Sequence, residues 1–135
     1  MADNRPTFIE VTGTGVINFG YHSRFIIEED GTYSWYIPAY KMFFSSKTKE
    51  EGQQRGISMV KSFFMFWDKQ NSYRGLILEI HNLGFRVPQY HNLTVSELIR
   101  KKRTSAKFNS TENLIPESFA AGTLLEQEGS FAMAS

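Results

Sequence analysis

Cysteine is absent from the 135-residue chain, and no stretch approaches the roughly 18 consecutive apolar residues of a membrane span. The lack of cysteine excludes disulfides, thiolate metal sites and a cysteine nucleophile. Residues 1–6 contain no apolar segment of the kind found in secretory signals, which indicates a cytoplasmic protein. Apolar residues make up 41% of the chain and charged residues 21%, a balance typical of one globular domain.

Charge is unevenly distributed, although the net charge is only +1. All 15 basic residues lie within residues 1–108, whereas residues 109–135 contain four acids and no Lys or Arg. Five of the basic residues crowd one short segment, namely Arg100, Lys101, Lys102, Arg103 and Lys107. A basic cluster beside an acidic tail is typical of nucleic-acid binding, and equally of a solvated helix face that the tail neutralises.

Alternating apolar and polar residues predict a mostly antiparallel sheet in the first third of the chain. The predicted strands are residues 7–12, 16–21, 24–28, 33–37 and 42–45. Asp30 and Gly31 separate two of these strands and predict a hairpin, because Gly tolerates positive φ. Pro38 lacks a backbone donor and should end the pairing of its strand.

A long helix is predicted from Thr48 to about Asp68. Thr48 and Glu51 have the spacing of a capping box, and an apolar stripe with spacings of three and four follows them. Near its C-terminal end the helix is apolar almost all round, which indicates burial in the core or in a subunit interface. Gly52 and Gly56, four residues apart, would let a sheet or a partner helix approach closely.

The second half of the chain gives weaker signals. The nearly continuous apolar run of residues 73–81 predicts a buried strand. Thr94 and Glu97 form a second capping box, which predicts a helix from Val95 to about Lys107. We expect a single domain over residues 1–108 and a flexible or partner-docking tail over residues 109–135.

No catalytic or metal-binding constellation stands out. The three histidines, His22, His81 and His91, lack metal-ligand spacing, and most carboxylates are explained by turns or by the first turn of a helix. We therefore expect a protein that is not an enzyme and that needs no metal or cofactor.

Aromatic rings on the predicted hairpins lie close to basic residues in the sequence. Alternation along one strand directs Trp35 inward and Tyr36 outward. Exposed rings beside cations hold single-stranded nucleic acid by stacking and phosphate contacts. The candidate nucleic-acid or partner-binding residues are therefore Tyr36, Lys41, Arg100, Lys101, Lys102, Arg103 and Lys107. The alternative is that the rings form the inward face of the sheet.

Three motifs follow one another within residues 25–80: a turn with Asp30 and Gly31, a strand that ends at Pro38, and Thr48-Lys49-Glu50-Glu51 at a helix start. This arrangement resembles the HicB-like antitoxin family. It implies a degenerate ribonuclease-H-like β-β-β-α-β core without catalytic carboxylates.

Together these patterns predict an α+β fold, in which one long helix packs on a mostly antiparallel sheet and a basic helix and an acidic tail follow. The leading hypothesis is a non-catalytic binding protein of the antitoxin type, which binds a small basic, toxin-like protein or nucleic acid. The alternatives are a single-stranded nucleic-acid-binding protein, or an assembly protein that forms a homo-oligomer through the aromatic helix and the C-terminal tail. No membrane partner is expected.

Overall fold

The computed structural model describes residues 7–12, 15–70, 73–86, 106–110 and 117–133. Within these residues, seven strands form one antiparallel sheet, and a long helix packs on one of its faces. The fold class is α+β, as predicted. The strands are β1 (Phe8–Val11), β2 (Val16–Ile27), β3 (Tyr33–Ile37), β4 (Met42–Ser46), β5 (Phe85–Arg86), β6 (Ala106–Ser110) and β7 (Thr123–Ala132), and the helices are α1 (Lys49–Lys69), α2 (Tyr73–Asn82) and α3 (Glu117–Ala120).

Strand β2 is the centre of the sheet and pairs with three neighbours. Strand β7 follows it continuously from the Val16–Ala132 pair to the Phe25–Thr123 pair. Strand β1 pairs with the first half of β2 and β3 with the second half. Because a strand has only two edges and β7 takes one of them, β1 and β3 share the other. Strands β6 and β5 continue the sheet beyond β1, and β4 continues it beyond β3.

The strands of the first third follow the predicted alternation closely. The two strands predicted over residues 16–21 and 24–28 are in fact one strand, β2, which is long enough to hold two partners on one edge. Gly31 has a positive φ of 88° in the turn that joins β2 to β3, as the Asp-Gly hairpin signal predicts. Strand β3 ends at Ile37, immediately before Pro38.

Helix α1 lies on the sheet through buried residues spaced four apart, namely Gly52, Gly56, Val60 and Phe64. A Cβ at Gly52 would lie 2.2 Å from the Trp35 ring, far inside van der Waals contact. Because Gly52 and Gly56 have no side chains, the first half of the helix lies close against the sheet, as the glycine spacing predicts.

The N-terminal cap of α1 is half of the predicted capping box. The Glu51 N–H donates to Thr48 Oγ1 over 3.0 Å, as expected. The Glu51 carboxylate accepts instead from the N–H of Lys47, one residue earlier, over 2.7 Å. Both interactions hold the end of β4 and the start of the helix together.

Residues 73–82 form helix α2, so the predicted strand over residues 73–81 is wrong. Leu76, Ile80 and Leu83 are buried at spacings of four and three, whereas Leu78 is 58% exposed. A strand would have placed Leu76 and Leu78 on the same face. A short apolar run is compatible with either a strand or a helix. The observed pattern of buried and exposed residues matches only the helical period.

The C-terminal region also differs from the prediction. The predicted domain boundary after residue 108 falls inside β6, which pairs with β1. The predicted basic helix does not extend to Lys107, which is part of β6, and residues 95–105 lie outside the described residues. Residues 123–132 of the predicted tail form β7 and add an edge to the central sheet. The polar composition of this segment favoured a flexible tail, but its main chain pairs with β2 along the whole of β7.

Candidate functional site: the outer edge of strand β7

Of the predicted binding residues, the structure describes Tyr36, Lys41 and Lys107, and it does not gather these on an exposed platform. Tyr36 points to the face of the sheet away from α1, as predicted, but it is only 4% exposed. The rings of Phe43 and Phe119 cover it, with centroid distances of 4.3 and 5.8 Å. This burial raises the pKa of the Tyr36 hydroxyl. Tyr36 therefore offers no open stacking surface.

The predicted basic residues are dispersed or lie outside the described residues. Lys41 is exposed in the turn between β3 and β4, where its φ of 55° is in the left-handed region. Lys107 lies in β6, in register with Glu10 of β1. Arg100, Lys101, Lys102 and Arg103 lie outside the described residues.

The inward rings form a core, which was the alternative interpretation of the aromatic residues. Trp35 is buried against α1, and its indole N–H donates to Ser46 Oγ over 2.9 Å. Tyr21 and Tyr40 are buried on the same side of the sheet. Their burial raises the pKa of both hydroxyls well above the usual value.

The hydrogen-bond pattern of β7 identifies an outer edge that the sequence analysis missed. The N–H of Met133 donates to the carbonyl of Gly15 over 2.9 Å, which extends the β2–β7 ladder by one hydrogen-bonded pair. Hydrogen-bonded and non-bonded pairs alternate in an antiparallel ladder. The odd-numbered residues from 123 to 131 therefore direct their backbone groups towards β2. The even-numbered residues direct theirs outwards, and these are Leu124, Glu126, Glu128 and Ser130.

Hydrogen bonds elsewhere in the sheet support this assignment of inward and outward residues. The N–H of Thr12 donates to the carbonyl of Val16, and the N–H of Glu28 donates to the carbonyl of Thr32. Even-numbered residues of β2 therefore face β1 and β3, which leaves its odd-numbered residues to face β7. In the part of the chain that the structure describes, β7 pairs with β2 alone.

Two carboxylates accompany the outward backbone groups of β7. Glu126 and Glu128 are exposed and lie two residues apart, so both side chains project from the face of the sheet away from α1. The opposite face of the sheet is the one that α1 covers, and there Leu125, Gln127 and Phe131 are partly buried. The edge therefore combines outward main-chain donors and acceptors, which have no strand partner among the described residues, with negative charge on one face.

In the half of the sheet where the strand order is β4-β3-β2-β7, residues of helix α1 cap the outer edge of β4. Arg55 Nη1 donates to the carbonyl of Ser45 over 2.6 Å. The N–H of Lys47, just beyond β4, is held by the Glu51 carboxylate. A side chain that caps an edge strand blocks the addition of another strand there. The two long edges therefore differ, because α1 side chains cap the one on β4, whereas no further strand pairs with the one on β7 within the residues that the structure describes.

Side-chain contacts fix β7 on its inner side. The Tyr21 hydroxyl donates to Gln127 Oε1 over 3.2 Å, and Gln127 Nε2 donates to the carbonyl of Gln53 in α1 over 3.1 Å. At Gly129, a Cβ would lie 2.7 Å from the Phe19 ring, so the ring of this core residue packs directly against the backbone of β7. The outer edge is thus presented by a strand that is anchored to both β2 and α1.

Neither metal ligation nor membrane insertion is indicated by the described residues. They contain no group of three or more His, Asp or Glu side chains that could hold a metal ion. None of the helices among them has the length and apolar character needed to span a membrane.

Comparison with known proteins leaves this site to be interpreted from its geometry. No family model, curated protein or solved structure matches the chain. The resemblance to HicB-like antitoxins therefore stays a prediction.

Proposed function

We propose that this protein is a non-catalytic binding module that takes up an extended, basic polypeptide segment as an additional strand on β7. The observation that supports the proposal is the outer edge of β7, where outward backbone groups alternate along a strand that also carries Glu126 and Glu128. This function agrees with the leading sequence hypothesis, a binding protein for a small basic partner.

In strand addition, main-chain hydrogen bonds would supply affinity and side-chain contacts would supply specificity. The N–H and C=O groups of Leu124, Glu126, Glu128 and Ser130 would pair with the incoming backbone. Residues of an antiparallel partner that stand directly opposite Glu126 and Glu128 would be hydrogen-bonded pairs, with Cα atoms about 5.5 Å apart. Lys or Arg at those positions would contribute about 0.2–1 kcal/mol each.

The two faces of β7 define the sequence pattern of the partner. Positions opposite the glutamates lie on the outer face, two residues apart, and favour basic side chains. The positions between them lie beside Leu125 and Gln127, on the side of the sheet that α1 covers. Apolar or small residues suit these positions. The expected partner segment therefore alternates basic residues with apolar or small ones.

The same charges disfavour two other occupants of this edge. Antiparallel pairing of β7 with β7 of a second copy would bring glutamates opposite or diagonal to glutamates, which is destabilising. Nucleic acid would place phosphates beside the same carboxylates. Acidic residues on the edge thus favour a basic polypeptide over both alternatives at this surface.

The proposal is tested by titrating the protein into a fluorescently labelled peptide that alternates Lys with Val or Thr, and measuring anisotropy. The test variant carries Glu126→Lys and Glu128→Lys. The control carries Glu29→Lys and Glu50→Lys, two exposed acids away from β7 with the same total change in charge. Reversing two favourable pairs replaces their attraction with a repulsion of similar size, a change of about 0.8–4 kcal/mol, so binding should weaken at least about fourfold in the test variant and far less in the control.

Hydrogen exchange provides a readout that depends on position. Peptide binding should protect the amides of residues 124, 126, 128 and 130, while the odd-numbered amides, already bonded to β2, should change little. Equal loss of binding in both variants, or no added protection at the even-numbered positions, would refute strand addition. If the protein instead binds a single-stranded oligonucleotide, and loses it when Lys41 and residues 100–103 become Ala, the nucleic-acid alternative is correct.

A further inference from the structure

Helix α1 presents a second surface on the flank that faces β4. An open groove of about 480 Å³ runs between this flank and the start of β4, lined mainly by Met42, Arg55, Met59, Ser62, Phe63 and Phe66. Gln53, which contacts Gln127 of β7, lies on the opposite flank of the helix. The groove is therefore separate from the proposed strand-addition site.

The groove follows a stripe with the spacing of a helix-pairing seam. Arg55, Met59, Ser62 and Phe66 are separated by four, three and four residues, the spacing that keeps side chains on one side of a helix against a partner helix. Phe66 is 53% exposed. Its ring makes an edge contact with Trp67 at a centroid distance of 5.0 Å and also lines the groove. Phe66 continues an apolar lining formed by Met42, Met59 and Phe63, and a contiguous exposed apolar patch of this kind marks a contact surface.

We propose that this stripe binds the same stripe of a second copy of the chain in antiparallel orientation. In that arrangement the planar face of the Arg55 guanidinium meets the Phe66 ring of the second copy, while its edge keeps the bonds to the Ser45 carbonyl and the Glu51 carboxylate. Met59 meets Ser62 of the second copy. Arg55 and Phe66 then form a cation–π pair twice across the twofold axis. Glu51 and Lys69, near opposite ends of the stripe, also approach each other across the interface. Parallel pairing would instead bring Arg55 against Arg55 and Lys69 against Lys69.

The size of the stripe determines how strong the association should be. From Glu51 to Lys69 the helix is about 27 Å long, since each residue rises 1.5 Å, and a helix is about 10 Å wide. The footprint is therefore about 300 Å² per copy, well below the roughly 800 Å² per partner of a standard stable interface. The expected dimer is weak and reversible, with a dissociation constant in the micromolar range or above.

Sedimentation velocity over a dilution series tests the proposal on the full chain. The wild type should shift from the 15.6 kDa monomer towards twice that mass as its concentration rises. Ser62→Glu places a charge in the middle of the seam and should keep the protein monomeric at every concentration. The control, Gln54→Glu, makes the same change of charge at an exposed position about 80° further round the helix. It should dimerise as the wild type does.

Engineered cysteines test the orientation, because the chain contains none of its own. Antiparallel pairing places Met59 next to Ser62 of the second copy, so a mixture of Met59→Cys and Ser62→Cys chains should form more disulfide than either chain alone. A wild type that stays monomeric, a Ser62→Glu variant that still dimerises, or disulfides that form mainly between identical variants would overturn the proposal. These outcomes are independent of the peptide titration, which concerns β7.

Discussion

Gln127 adds two side-chain hydrogen bonds to the main-chain pairing that attaches β7 to the body of the protein. Its side chain accepts a hydrogen bond from the Tyr21 hydroxyl over 3.2 Å and donates one to the carbonyl of Gln53 over 3.1 Å. Tyr21 is completely buried in the core. A single glutamine therefore connects the central strand, the edge strand and the helix.

Replacing Gln127 with Leu keeps a similar volume but removes both hydrogen bonds. The buried Tyr21 hydroxyl then loses its acceptor, which costs about 1–3 kcal/mol for an unsatisfied buried donor. The lost bond to Gln53 adds up to about 1 kcal/mol, partly offset because Leu is more apolar. We expect the free energy of unfolding to fall by about 2 kcal/mol.

Urea denaturation measures this change, with Gln54→Leu as the matched control. Gln54 is an exposed glutamine of α1, so its replacement should alter the free energy of unfolding by no more than about 0.5 kcal/mol. A double-mutant cycle with Tyr21→Phe isolates the shared hydrogen bond and should give a coupling of about 1 kcal/mol. A Gln127→Leu variant as stable as the control, or a cycle that is simply additive, would refute the assigned role of Gln127.

Two further predictions concern the core beneath the sheet. Gly52→Ala should reduce the free energy of unfolding by about 1–3 kcal/mol, although Ala has the better helix propensity, because its Cβ would lie 2.2 Å from the Trp35 ring. Gly56→Ala should reduce it less in the same urea assay, because the nearest contact of its Cβ would be 3.0 Å. Burial raises the pKa values of Tyr21 and Tyr40, so the stability that they contribute is present below their ordinary pKa of about 10 and is lost as the pH rises above it. Tyrosinate absorbance should therefore appear together with unfolding in alkali, and titration of both residues at their ordinary pKa within the intact fold would contradict this account.

The elements that could be predicted from the sequence are those with local signals. The hairpin between β2 and β3 is encoded by two adjacent residues, Asp30 and Gly31, and the start of α1 by the Thr48 cap. The close approach of Gly52 to the sheet follows from the helical spacing of small residues. In each case the determining interaction spans only a few residues along the chain.

The edge that forms the candidate site has no comparable local signal. Strand β7 pairs with residues of β2 that lie about 100 positions earlier in the chain. Two of its inward positions are Gln127 and Gly129 rather than large apolar residues. Apolar alternation is therefore too weak to distinguish a strand from a polar tail. The register places Gln127 opposite Tyr21, where it accepts the hydroxyl hydrogen bond, and Gly129 opposite Phe19, where it leaves room for the ring. Both contacts arise only in the folded sheet.

Tyr36 shows the same limit for the predicted binding residues. Alternation assigned it correctly to the outer face of the sheet. Phe119, however, belongs to a four-residue helix more than 80 positions away, and no pattern around Tyr36 indicates that this ring covers it. Sequence periodicity determines the direction of a side chain, whereas its exposure depends on which distant segments pack there.

The two proposed surfaces are compatible in one assembly because they lie on opposite flanks of α1. Gln53 faces β7 on one flank, and Met59 lines the groove on the other. A dimer formed through the groove would therefore leave the outer edges of both β7 strands open. A partner with two basic segments could occupy both edges, and its second segment would bind from a high effective concentration. Two weak contacts would then produce tight binding, and Ser62→Glu should reduce affinity for a tandem peptide while leaving affinity for a single peptide unchanged.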